Sequence, residues 1–154
     1  MNTKLALMYR DGENYKSYLT EIIRGAITPE QLKAISDCLG DGIFIIAEQV
    51  GLPTPSFELM GNDSWPNESF DHVFTTLLAF EDALDDGKDY PDASSMHTYA
   101  PATLDMDVAE FTAKVCAAPS WQVSEEWTRM VLAAERALSG SKPGVDGPSV
   151  NRVK

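Results

Sequence analysis

Two β-rich runs at residues 4–10 and 15–23 are separated by only four residues, Asp11-Gly12-Glu13-Asn14. This spacing constrains the chain more than any other feature. Leu5, Leu7 and Tyr9 fall on one face of the first run, as a period of two requires. The four intervening residues have turn chemistry, with Gly12 and Asn14 both able to take positive φ. The simplest structure is an antiparallel hairpin.

A helix follows at once. Thr28-Pro29-Glu30-Gln31 places a threonine N-cap, a proline at the first helical position and a glutamine at N3, which is a capping box. Leu32, Ile35 and Leu39 continue at helical spacing, and Gly40 is placed to stop it. The expectation is a helix over 29–39.

Beyond it, Asp41-Gly42 leads into a buried strand at 43–46, closed by Gly51-Leu52-Pro53-Thr54-Pro55. A short strand is expected at 57–60, a polar loop carrying Trp65 at 62–67, and a Phe/Val/Thr-rich strand at 70–78. Helix competes for that last stretch, since Leu77, Leu78 and Ala83 can share a face. Residues 82–99 are acidic and broken by Gly87 and Pro91, so they read as a loop. Asp105 or Asp107 can cap a helix running to about Ala118, with Val108, Phe111 and Val115 inward. Ser124 can cap a last helix with Trp127, Met130, Val131, Ala134 and Leu138 inward, and Glu125 and Glu126 suit the positive end of its dipole. Residues 139–154 are rich in Gly, Pro and Ser and read as a flexible tail.

The fold class is therefore α+β. An N-terminal hairpin and small antiparallel sheet pack against helix 29–39, with two C-terminal helices, in one domain over 1–138. At 154 residues the chain buries roughly two-thirds of its unfolded surface, so a core forms without metals or disulfides. No apolar run approaches the ~20 residues of a membrane helix. The first residues lack the long apolar region of a secretory signal, so the expected location is cytoplasmic. Cys38 and Cys116 are then read as two reduced core thiols.

Charge is the other organising feature. The net charge is −12. Residues 58–110 carry thirteen acidic residues against the single basic Lys88, and so account for all of it. Such a field repels nucleic acid and attracts basic surfaces. Direct nucleic-acid binding is not expected, and the expected partner is a basic protein surface. The candidate contact residues are Asp82, Asp85, Asp86, Asp89 and Asp92, with Tyr15 and Tyr18 as exposed aromatics of the kind enriched in binding hot spots.

No catalytic constellation is apparent. A nucleophilic serine or cysteine needs a nearby base, and the only histidines are His72 and His97. No Cys or His residues are spaced for zinc. The best calcium match, Asp82 to Gly87, has Leu84 at its third position and Ala93 at its twelfth. The glycines form no phosphate-binding signature. No cofactor and no metal is expected. Asp71 and His72 are the residues an enzyme reading would use.

Tyr9-Arg10-Asp11-Gly12-Glu13-Asn14-Tyr15-Lys16 is followed by Leu39-Gly40-Asp41-Gly42-Ile43-Phe44-Ile45, by Gln49-Val50-Gly51-Leu52-Pro53, and by Asp71-His72. Over residues 9–75 this order resembles a group of small bacterial and mobile-element proteins of uncharacterised activity. Their pattern is YRD-x-x-NYK, then D-D-G-x-F-F-I, Q-V-G-L-P and D-H-x-W-H. Gly40 stands here for the first aspartate of the second motif, and Phe74-Thr75 for the Trp-His pair of the last. The resemblance implies no activity. Physically, Asp11 and Gly12 shape the turn, and Arg10 is expected to reach Asp41 or Asp71.

The leading functional expectation is a non-catalytic acidic binding protein. Its sharpest form is a phage or mobile-element inhibitor that occupies the nucleic-acid groove of a defence protein, as anti-CRISPR and anti-restriction proteins do. The alternatives are a small hydrolase or metal-dependent enzyme using His72 with nearby carboxylates, and a homo-oligomeric structural protein.

Overall fold

The hairpin turn is built by one carboxylate. In the computed structural model, which describes residues 1–59, 65–118 and 120–139, Asp11 is buried and accepts the N–H groups of Glu13 at 2.8 Å and Tyr15 at 3.0 Å. Asn14 takes the left-handed conformation at φ 68°, which its short polar side chain tolerates. Gly12 does not need positive φ. Space is tight there instead, because a Cβ would lie 3.3 Å from the Phe70 Cβ while the Gly12 N–H donates to the Phe70 carbonyl at 2.8 Å.

The turn joins β1 (Asn2–Arg10) to β2 (Lys16–Ile23), paired antiparallel from Thr3 opposite Ile23 to Arg10 opposite Lys16. Two short strands, β3 (Phe44–Ile45) and β4 (Thr75–Leu77), extend the sheet in the order β2-β1-β4-β3. A fifth, β5 (His97–Thr98), pairs with the first residues of β1. All these pairings are antiparallel, with β1 as the spine.

Helix α1 (Pro29–Ser36) carries both bonds of its capping box, Gln31 N–H to Thr28 Oγ1 at 3.2 Å and Thr28 N–H to Gln31 Oε1 at 3.0 Å. It stops three residues before the expected Leu39. Gly40 belongs instead to the next turn, donating to the Phe44 carbonyl at 3.0 Å, and Asp41 and Gly42 take positive φ there. That turn also shortens the expected 43–46 strand to two residues. The other helices are α2 (Leu78–Asp85), α3 (Val108–Cys116) and α4 (Val123–Ser139). Asp107 caps α3 through the Glu110 N–H at 2.8 Å. Ser124 lies inside α4 rather than capping it.

Three further expectations are corrected. Residues 55–59 form a 3-10 turn and not a strand. Of the expected strand 70–78, only Thr75–Leu77 is extended, because Phe70 and His72 bond to the hairpin. The acidic stretch 82–99 is no plain loop: α2 runs into it as far as Asp85, and a 3-10 turn at Ala93–Met96 leads into β5.

Two apolar clusters hold these parts. Leu5 and Leu7 of β1 meet Ile23, Leu32, Ile35, Phe111 and Val115 in the main core. Tyr9, at the other end of the same strand face, enters a second cluster with Ile46, Leu59, Trp65, Val73, Met130 and Ala134. Trp65, carried by the expected 62–67 loop, is thus a core residue. Met130 and Ala134 of α4 are buried as expected, but Leu138 is 55% exposed, while Glu126 is 4% exposed. Residues 140–154 of the expected tail lie outside the described residues. No described helix is long and apolar enough to cross a membrane.

Candidate functional site

The residues an enzyme would use are tied to the backbone. Tyr9 donates its hydroxyl to Asp71 Oδ1 at 2.5 Å, and Asp71 Oδ2 accepts the Asn67 N–H at 2.8 Å. The same hydroxyl oxygen accepts the His72 N–H at 3.2 Å. The His72 ring has Nε2 2.6 Å from the Arg10 carbonyl, and its Nδ1 accepts the Phe74 N–H at 3.0 Å. A carbonyl only accepts, so these two bonds select the Nε2–H tautomer. The ring lies beside Tyr9, with centroids 4.9 Å apart. Asp71 and His72 line a cleft of about 550 Å³ with Glu68, Phe74, Val123 and Trp127. Both ring nitrogens and both carboxylate oxygens are nonetheless engaged, so the pair fastens the hairpin turn to residues 67–74. Arg10, expected at Asp41 or Asp71, instead has its guanidinium 3.8 Å from Glu81.

The acidic residues of the middle segment divide by role. Asp71 is bonded to Tyr9, Glu81 faces Arg10, Asp92 pairs with Lys88 at 3.2 Å, Asp105 pairs with Arg24 at 2.9 Å, and Asp107 caps α3. Asp82, Asp85, Asp86 and Asp89 are all exposed, and none has an ion pair among the described residues. They form a ridge along α2 and the turn after it. Asp82 and Asp86 look over a groove of about 380 Å³ that also holds Lys4, Ala6, Lys88 and Asp92. Asp89 lies on the other flank, in a groove of about 280 Å³ with Lys33, Asp37, Leu84 and Tyr90. The ridge is poorly placed for stability. Asp85 and Asp86 sit at the negative end of the α2 dipole, and no basic residue occupies its last turn.

The groove floor belongs to the side of the sheet that α2 lies against, where Met8 is buried. Side chains alternate along a strand, so Lys4, Ala6, Met8 and Arg10 share a face opposite Leu5 and Leu7. Tyr18 is paired with Met8 and therefore projects on that same side. It is 58% exposed. Tyr15 is half-buried and lies before β2, so only one of the two tyrosines is presented as expected. Among the described residues, no group of three or more His, Cys, Asp or Glu side chains could hold a metal ion.

One built cluster escaped sequence reasoning. Arg129 of α4 forks onto Glu126, with Nη2–Oε2 at 2.8 Å and a second short bond from Nε. Its Nη2 also donates to Thr54 Oγ1 at 2.9 Å, and its guanidinium lies 4.4 Å over the Phe57 ring. Glu48 stands 3.7 Å away. The forked bond to Glu126 is the main reason the Arg129 pKa is raised, against a smaller opposing effect of burial. The available signal was the three-residue spacing of Glu126 and Arg129 on one helix. The cluster docks α4 on residues 48–57.

The cysteines also differ from expectation. Both are free; Cys38 is half-buried and Cys116 is exposed rather than core. Compared with family models, curated proteins and solved structures, the chain gives no significant match, so the site rests on its own geometry.

Proposed function

We propose that this chain is a non-catalytic binding protein that offers the α2 ridge, together with the neighbouring sheet face bearing Tyr18, to a Lys/Arg-rich surface of a partner protein. One observation carries this reading. Four exposed carboxylates, Asp82, Asp85, Asp86 and Asp89, make no ion pair among the described residues, and two of them, Asp85 and Asp86, sit at a helix end that disfavours them. Elsewhere in the same segment Glu81, Asp105 and Asp92 face Arg10, Arg24 and Lys88, while Glu58, Glu68 and Glu110 are exposed singly, away from α2 and without an ion pair among the described residues. Carboxylates held in fixed positions attract arginine and lysine side chains by the forces that draw those side chains to phosphates.

In its sharpest form, the ridge occupies a groove that a host protein uses for nucleic acid. The test is capture from host extract with the full chain as bait. A variant with all four aspartates changed to asparagine serves as the control. The reading expects a basic protein retained by the parent chain, lost with the control, and displaced by added DNA or RNA. Equal retention by both baits overturns it.

A further inference from the structure

The two cysteines lie about 80 residues apart in sequence, yet α1, which ends two residues before Cys38, packs beside α3, which ends in Cys116. Leu32 and Ile35 of α1 meet Phe111 and Val115 of α3 in the main core. Cys116 is the last residue of α3, and its Sγ donates to the Ala34 carbonyl at 3.7 Å. Ala34 lies one helical turn before Cys38. The Cys38 N–H donates to the Ile35 carbonyl at 2.9 Å, in the turn that closes α1. The Cys116 sulfur therefore sits over the turn that ends in Cys38. Cys116 is exposed, and Cys38 is half-buried against the main core.

We propose that Cys38 and Cys116 form a reversible disulfide that latches the end of α1 to the end of α3, with a low-molecular-weight disulfide such as oxidised glutathione as oxidant. The exposed Cys116 is the point of entry. Its thiolate attacks one glutathione sulfur, forming a mixed disulfide and releasing one reduced glutathione. The Cys38 thiolate then attacks the Cys116 sulfur and releases the second. Both protein thiols lose a proton, and the two electrons reduce the glutathione disulfide. Partial burial, followed by the neighbouring Cys38 and Asp37, pushes the Cys116 thiol up. The first step is consequently slow at neutral pH, so the latch responds to sustained oxidation rather than a brief pulse.

The inference is independent of the binding role proposed above. The test incubates the folded full-length chain in an oxidised glutathione buffer at mildly alkaline pH, followed by intact mass and non-reducing peptide mapping. The expected product is a monomer lighter by two hydrogens, with the Cys38 and Cys116 peptides joined. Closing so long a loop should raise Tm by about 5 to 15 °C, and reductant should reverse the rise. Cys38→Ser should stop at a stable mixed disulfide on Cys116. Persistent free thiols, mixed disulfides that never resolve in the parent chain, a disulfide between two chains, or an internal disulfide without a Tm rise would each overturn the latch.

Discussion

Replacing Arg129 with methionine should destabilise the protein by about 3 kcal/mol, and the structure says where that energy comes from. The Glu126 side chain is 3% exposed, and its two oxygens are held by the Arg129 fork. Removing one partner of a buried ion pair costs roughly 3–5 kcal/mol, because the other charge is left uncompensated. The Arg129 side chain is itself 33% exposed, so water can reach part of the vacated space, and the loss is scaled down to roughly 2 kcal/mol. Losing the bond to Thr54 adds about 1 kcal/mol. Methionine keeps an apolar chain over Phe57, so lost packing contributes little. For a chain of this size the sum corresponds to a fall in Tm of about 6–12 °C. Urea unfolding followed by tryptophan fluorescence is the natural assay, since Trp65, Trp121 and Trp127 all belong to the cluster under α4. The double variant Glu126→Leu with Arg129→Met carries no buried charge and should recover most of the loss. A single variant that loses less than about 1 kcal/mol, or a double variant no better than the single, would refute the reasoning.

Tyr9→Phe should cost about 2–4 kcal/mol in urea unfolding, because the Asp71 carboxylate and the His72 N–H both lose their buried partner. Asp86→Lys should stabilise α2 by about 0.3–1 kcal/mol at low ionic strength, with the gain shrinking as salt is added. The same substitution should weaken partner binding, so stability and function would move in opposite directions. Cys116 should react with iodoacetamide more slowly than an unhindered thiol, despite its exposure, and catch up as pH rises. Its folded pKa is raised, so the stabilising contribution of the neutral thiol is complete below the unfolded value and disappears as pH climbs through the folded one. Tm measured across the alkaline range should fall there, and more steeply than in Cys116→Ser.

The legible parts of this fold are those specified by neighbouring residues. The hairpin follows from alternation around Asp11–Asn14, and α1 follows from a cap written within four residues. Helix α2 is hard to read for the opposite reason. It begins directly after β4 with no side-chain cap at Leu77, and its acidic C-terminal end resembles a solvated loop. The 3-10 turn at 55–59 has an apolar pattern that short strands share. The Tyr9–Asp71 bond and the meeting of Cys38 with Cys116 join positions far apart in the chain, and no local pattern reports such contacts. Burial of Glu126 was hidden by the helix dipole, which makes any acid in the first turn of α4 look well placed in solvent. Clustering of the unmatched aspartates was readable from composition, but its division over two flanks of α2 was not.

The binding proposal meets its most direct test in the dissociation constant for the partner retained by this chain, measured by calorimetry at about 0.05 and 0.5 M salt. If the α2 ridge supplies the attraction, the parent chain should weaken tenfold or more across that interval, while the chain with four asparagines binds feebly and hardly responds to salt. A single affinity, shared by both chains at both concentrations, would contradict the account.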